Sequence, residues 1–182
     1  DIDTSSTNEE VIDKTFEIEQ DFQNVDLNDL NEAVIHFELE GTNYLKDTIL
    51  KFGFYTNHQH VVINAEDVKD YKHLVQWLED KNTTKIVYDA KKTYVSAHRL
   101  GINIENIEFD VMLASYIIDP SRSIDDVKSV VSLYGQNYVK DNITIFGKGK
   151  KHHIPEEPIL NEHIASVTEA IAAITPVMKS QL

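Results

Sequence analysis

The spacing of apolar and polar positions changes along the chain. Ala33-Val-Ile-His-Phe-Glu-Leu reads as a strand and Thr48-Ile-Leu-Lys-Phe-Gly-Phe-Tyr as a second. Asn57-His-Gln-His is a turn, and His60-Val-Val-Ile returns as the third strand of a hairpin. From Ala65 to Glu79 the period lengthens, with Val68, Tyr71, Leu74, Val75 and Leu78 at helical spacing. After a break at residues 81–84, Lys85-Ile-Val-Tyr is a short strand. A helix from Lys91 to Leu100 follows, stopped by Gly101 at its C′ position. Ile107-Glu-Phe is a strand. Asp110 caps a helix over Val111–Ile118, which Asp119-Pro120 ends. Ser123 starts another helix with Asp126 three residues on. Residues 135–157 are polar, and a long helix runs from about Leu160. A meander followed by alternating helices and strands predicts an α/β fold, a mixed β-sheet flanked by helices.

Composition narrows the class. Of 182 residues 41% are hydrophobic, enough for a core, and none is cysteine. Disulfides and Cys-ligated metal sites are excluded. No apolar run is long enough to span a membrane, and the acidic start lacks the pattern of a signal peptide. A cytoplasmic protein is expected. The formal net charge is −14. Residues 1–32 carry 11 acidic groups and one lysine; the remainder carries 20 acidic and 16 basic groups. The surplus therefore sits in an N-terminal segment read as a linker: a solvated tail over residues 1–10, then a stretch that partly crosses the domain surface. The domain is expected over residues 33–182. The chain lacks an initial Met and ends within a helix-like pattern, so a fragment of a longer polypeptide is expected.

Candidate chemistry is sparse. Gly147-Lys-Gly-Lys-Lys is a basic cluster without the spacing of a phosphate loop. His58, His60, His152 and His153 read as surface residues, and His36 as a hydrogen-bonded core residue. Glu38 and Glu40 stand two apart at the end of the first strand, so they face one side and could hold a divalent cation. The sequence has no nucleophile elbow, no His-Glu-x-x-His and no dinucleotide fingerprint.

The run Ile107-Glu-Phe-Asp-Val-Met-Leu-Ala-Ser-Tyr-Ile-Ile-Asp-Pro, with Ser123-Ile-Asp-Asp-Val, Phe146-Gly-Lys-Gly-Lys and Ile154-Pro-Glu-Glu-Pro-Ile-Leu-Asn-Glu-His, closely resembles the family A bacterial DNA polymerases, the DNA polymerase I family. The likeness extends from about Ala33 to Leu182 and is strongest to the Gram-positive type, whose exonuclease-like domain is degenerate. It implies a ribonuclease H-like 3′–5′ exonuclease fold. Active members hold two divalent metals through four carboxylates, which activate water and stabilise the leaving 3′ oxygen. The family's first motif, Asp-x-Glu, falls on Glu38 and Glu40, or in a gapless register on His36 and Glu38. Seventeen residues before Asp110, the second motif's Asp falls on Thr93 and its Asn on Asp89. The third motif's Tyr falls on His163 and its Asp on Val167.

The resemblance thus implies a domain that has lost metal-dependent proofreading and needs no cofactor of its own. A polymerase domain using Mg²⁺ is expected beyond residue 182, with DNA bound through the intact enzyme and no membrane partner. The domain would support that neighbour as part of a monomer in DNA replication and repair. Two alternatives are a weakened exonuclease using Glu38, Glu40 and a displaced Asp89 or Glu169, and a single-strand binding module using Lys148, Lys150 and Lys151.

Overall fold

Six strands form one mixed sheet in a computed structural model, which describes residues 12–182. They are β1 (Ile18–Glu19), β2 (Glu32–Leu39), β3 (Ile49–Thr56), β4 (Gln59–Asn64), β5 (Thr84–Val87) and β6 (Ile107–Asp110), in the order β1-β4-β3-β2-β5-β6. The β2–β3–β4 meander is antiparallel. β5 and β6 join β2's other edge in parallel, and β1 pairs parallel to β4. The hairpin turn between β3 and β4 places Asn57 and His58 both at positive φ, as a two-residue turn requires.

β2 is buried along both faces, so its run is nearly continuous in apolar character. Ala33, Ile35, Phe37 and Leu39 enter a core with Phe52, Phe54, Leu74, Trp77 and Leu78. That core lies under α1 (Lys72–Glu79) and α2 (Ala90–Arg99). Val34 faces the other way, into a cluster with Val111, Val127, Val167 and Ile171. This second face is covered by α3 (Val111–Ile118), α4 (Val127–Val131) and α6 (Glu157–Ser180), with the short α5 (Asn142–Phe146) beside them. The long helix comes close to the sheet at Gly53, where a Cβ would lie 2.5 Å from Ile164 Cγ2. Among the described residues no helix is long and apolar enough to cross a membrane.

Several expectations need correction. The helix expected over residues 65–79 is broken: a 3₁₀ turn covers Ala65–Asp70, Tyr71 is extended, and α1 starts at Lys72. Tyr71 leaves the helical path to pack on Phe22 and to donate its hydroxyl to Asp21, 3.1 Å away. Ser123 does not start a helix; Asp126 does, its carboxylate accepting from Ser129 N–H. The polar stretch 135–157 contains α5, capped by Asp141. The last helix starts at Glu157, three residues earlier than expected, with Pro158 in its first turn.

The folded body also reaches back beyond residue 33. Phe22 is fully buried against Phe54, and Phe16 packs edge-on to His60. Lys14 pairs with Glu169 on α6, and the Phe16 N–H donates to Glu162. His60, expected at the surface, is buried and bonded to Glu169. The tail read at residues 1–10 lies outside the described residues.

Candidate functional site

The end of β2 and the starts of α2, α3 and α4 converge on a cleft of about 700 Å³, closed below by α6. On β2, His36 and Glu38 share one face two residues apart. A shift of pairing register between Glu38 and Leu39 ends the regular ladder with β3, and Glu40 follows at the cleft's edge.

Backbone donors fix the opposite wall. Asp110, at the end of β6, accepts from Met112 and Leu113 N–H and so caps α3. The same carboxylate accepts from Asp89 N–H (2.9 Å) and Ala90 N–H (2.8 Å), at the start of α2. Asp89 itself is left-handed (φ +72°) and caps α2 through Lys92 N–H. Asp126 accepts from Ser129 N–H and, at 3.0 Å, from Asn142 N–H, which ties α4 to α5. Of the three aspartates that line the cleft, Asp89 and Asp126 are thus engaged as helix caps, and Asp125 is an exposed side chain.

The floor is a buried polar group. His36 Nε2 lies 2.7 Å from Glu38 Oε2, and both residues are under 10% exposed. Burial alone would raise the Glu38 carboxyl. The hydrogen bond from His36 and the nearby Lys92 charge outweigh it and hold Glu38 well below the ordinary carboxylate range. Burial pushes His36 the other way, towards the neutral form. A neutral imidazole with its proton on Nε2 satisfies both partners. Burial also lowers His163, on α6, whose Nδ1 has no hydrogen-bond partner.

Across the mouth, residues 147–152 fold towards β2. Gly147 turns the chain at φ +73°, and His153 N–H donates to Phe146 O. The His152 ring stacks on Phe146, with Nε2 3.8 Å from Glu40 Oε1.

The structure brings some of the expected positions together and separates others. Glu38, Glu40, His163 and Lys148 line the cleft, as does Asp89. Thr93 is buried on α2 and donates its hydroxyl to Asp89 O at 2.9 Å. Val167, one turn beyond His163, is wholly buried in the apolar cluster under α6. Glu169 bonds to His60 and Lys14, and Lys150 and Lys151 are exposed away from the cleft lining. Sequence reasoning missed Lys92 in the cleft wall. Lys92 carried a signal, since it sits one residue before Thr93 at the start of a helix.

Two divalent cations do not fit these residues. Among the described residues no three His, Asp or Glu side chains come together as a metal-holding group. Thr93 and Val167 supply no carboxylate where the resemblance would need one, and Glu38 is engaged by His36.

A family model described as DNA polymerase I, ribonuclease H-like domain, matches residues 35–174. The chain belongs to this family. The polymerase I domain is 32% identical over 142 residues to DNA polymerase I of Bacillus subtilis, covering 78% of this chain and 16% of that protein. It therefore spans about a sixth of the length of that relative. Its fold is similar to that of Brucella melitensis NrnC (TM-score 0.73, 18% identity, 93% of this chain and 82% of that one). It is also similar to Escherichia coli RNase D, described as an exoribonuclease involved in structured RNA processing (TM-score 0.68, 12% identity, 92% and 45%). The ribonuclease H-like 3′–5′ exonuclease fold expected from the resemblance is the one found.

Proposed function

We propose that this polymerase I domain has lost metal-dependent 3′–5′ proofreading and serves as a structural support for the polymerase part of a DNA polymerase I. One observation carries the reading. Val167 stands at the position where the family resemblance places a metal-binding aspartate, wholly buried with an aliphatic side chain that cannot ligate a cation. The rest of the cleft agrees. Glu38 is held by His36, Asp89 and Asp126 cap helices, and the Thr93 hydroxyl is bonded within its own helix. These four side chains are therefore engaged within the fold rather than turned to a water at two metals. DNA would be engaged through the intact polymerase, a cytoplasmic monomer whose own active site uses Mg²⁺.

Labelled single-stranded DNA incubated with the chain and Mg²⁺ or Mn²⁺ tests this. No shortening is expected. Shortening that disappears in Glu38→Ala would overturn the reading in favour of a weakened exonuclease.

A second reading, single-strand binding, is favoured by Lys92 and Lys148 at the cleft. It requires affinity for a DNA oligonucleotide that falls as salt rises. The surplus of acidic groups argues against strong binding of this kind.

A further inference from the structure

We infer that a second recess, between residues 12–16, residues 138–145 and the first turns of α6, is a binding site for a small aromatic carboxylate that also carries a hydroxyl. This goes beyond the support reading and does not depend on it.

The recess has a volume of about 470 Å³, within the range of pockets that take one small organic molecule. Its walls are largely apolar: Phe16, Tyr138, Ile145, Pro158 and Ile159. The Phe16 and Tyr138 rings stand with centroids 6.2 Å apart, and aromatic walls suit a flat ring. Residues 12–16 are anchored at three points. Ile12 N–H donates to Asn137 O at 3.0 Å, Phe16 N–H donates to Glu162 at 3.1 Å, and Lys14 pairs with Glu169. The wall they form is in place before anything binds, which spares an ordering cost.

The charges around the recess decide the sign of its ligand. Glu162 is engaged by the Phe16 N–H, and Lys14 is matched by Glu169 while lying over both rings. Lys140 is held loosely. Among the described residues its one ion pair is with Asp13, at 4.0 Å, and the Asp13 side chain is 93% exposed. One loosely held ammonium beside an apolar wall matches one carboxylate. A phosphate dianion would also meet Asp13 and Glu162, both of which line the recess.

A second polar group is buried in the wall. His163 is 5% exposed, and its Nδ1 has no hydrogen-bond partner among the described residues. Its side chain lines this recess as well as the cleft. A buried ring nitrogen without a partner is costly, and a ligand hydroxyl supplies one. The ligand class follows: a flat apolar body with a carboxylate for Lys140 and a hydroxyl for His163.

The probe is para-hydroxycinnamate, titrated into the whole chain labelled for NMR at isoleucine methyls and histidine ring nitrogens. The Ile145 and Ile159 methyls and His163 Nδ1 are expected to shift together and saturate below about 10 mM, while Ile117 on α3 stays unmoved. Cinnamate, which lacks the hydroxyl, and para-hydroxycinnamamide, which lacks the charge, should each bind about fivefold more weakly. The exposed Lys140→Gln should erase the difference between acid and amide. Absence of saturation, or shifts at Ile117 as large as those at Ile159, would overturn the site. Equal affinity for all three compounds would overturn the ligand class. DNA shortening by the domain would sink the support reading without altering this titration.

Discussion

Gly53 offers the sharpest test of how the cleft is positioned. On β3 it pairs with His36 of β2 and lies where α6 crosses the sheet. In Gly53→Ala the new Cβ would stand 2.5 Å from Ile164 Cγ2 and 3.3 Å from Thr168 Cγ2. Ile164 is fully buried and β-branched, so its methyl has no free rotamer to retreat into. The helix itself must shift. Overpacking of this kind costs about 1–3 kcal/mol, against a gain of about 0.5–1 kcal/mol from replacing a strand glycine. A net loss of about 1–2 kcal/mol is expected as a lower urea midpoint with an unchanged slope. Ile164→Ala alone should cost about 2–5 kcal/mol by leaving a cavity. In that background Gly53→Ala should become neutral or stabilising, a coupling of at least about 1 kcal/mol. An unchanged midpoint for the single variant, or simple additivity in the pair, would refute the close-approach argument.

Further outcomes follow from polar groups that the fold engages. Glu38→Ala should lower stability by about 1–3 kcal/mol in thermal melts, because the buried His36 loses its partner. Glu38 is held below its ordinary value, so its contribution is present above that value and lost as pH falls through the depressed one. Glu38→Gln should remove this acid dependence. Lys85 is wholly buried over Trp77, and burial lowers it from 10.5 to about 8. Between those values the unfolded chain binds more protons, so stability rises with pH there and is lost as pH falls through about 8. Denaturant midpoints across this window should lose their slope in Lys85→Met. Asp110→Ala should cost about 2 kcal/mol, since it removes two helix caps at about 1 kcal/mol each. Asp141→Ala, which uncaps α5 alone, should cost about half as much.

The elements that the chain announced are those whose signals are local. The β2–β3–β4 apolar runs, the Asp110 cap, α3 and the Gly101 stop at φ +82° all stand where spacing placed them. What escaped depends on contacts far along the chain. β1 is two residues long and exists only because it pairs with β4. The break at Tyr71 needs Phe22 and Asp21, about 50 positions earlier, and the burial of His60 needs Glu169. In the site, family spacing pointed to Glu38 and His163, which line the cleft, and to Val167, which is buried in the apolar cluster. The His36–Glu38 bond could not be read in this way, because it depends on two side chains being turned together on a buried strand face; nor could the capping duties of Asp89 and Asp126, which depend on which backbone N–H comes within reach.

Asp110 gives the cleft an origin separate from its chemistry. By capping the starts of α2 and α3 together, it locks two walls into a single corner, and the corner serves folding whatever lies on the floor below. The hollow is then a by-product of how the helices are anchored. Residues on the floor can change without collapsing it, so the shape of this cavity is independent of the chemistry of its lining.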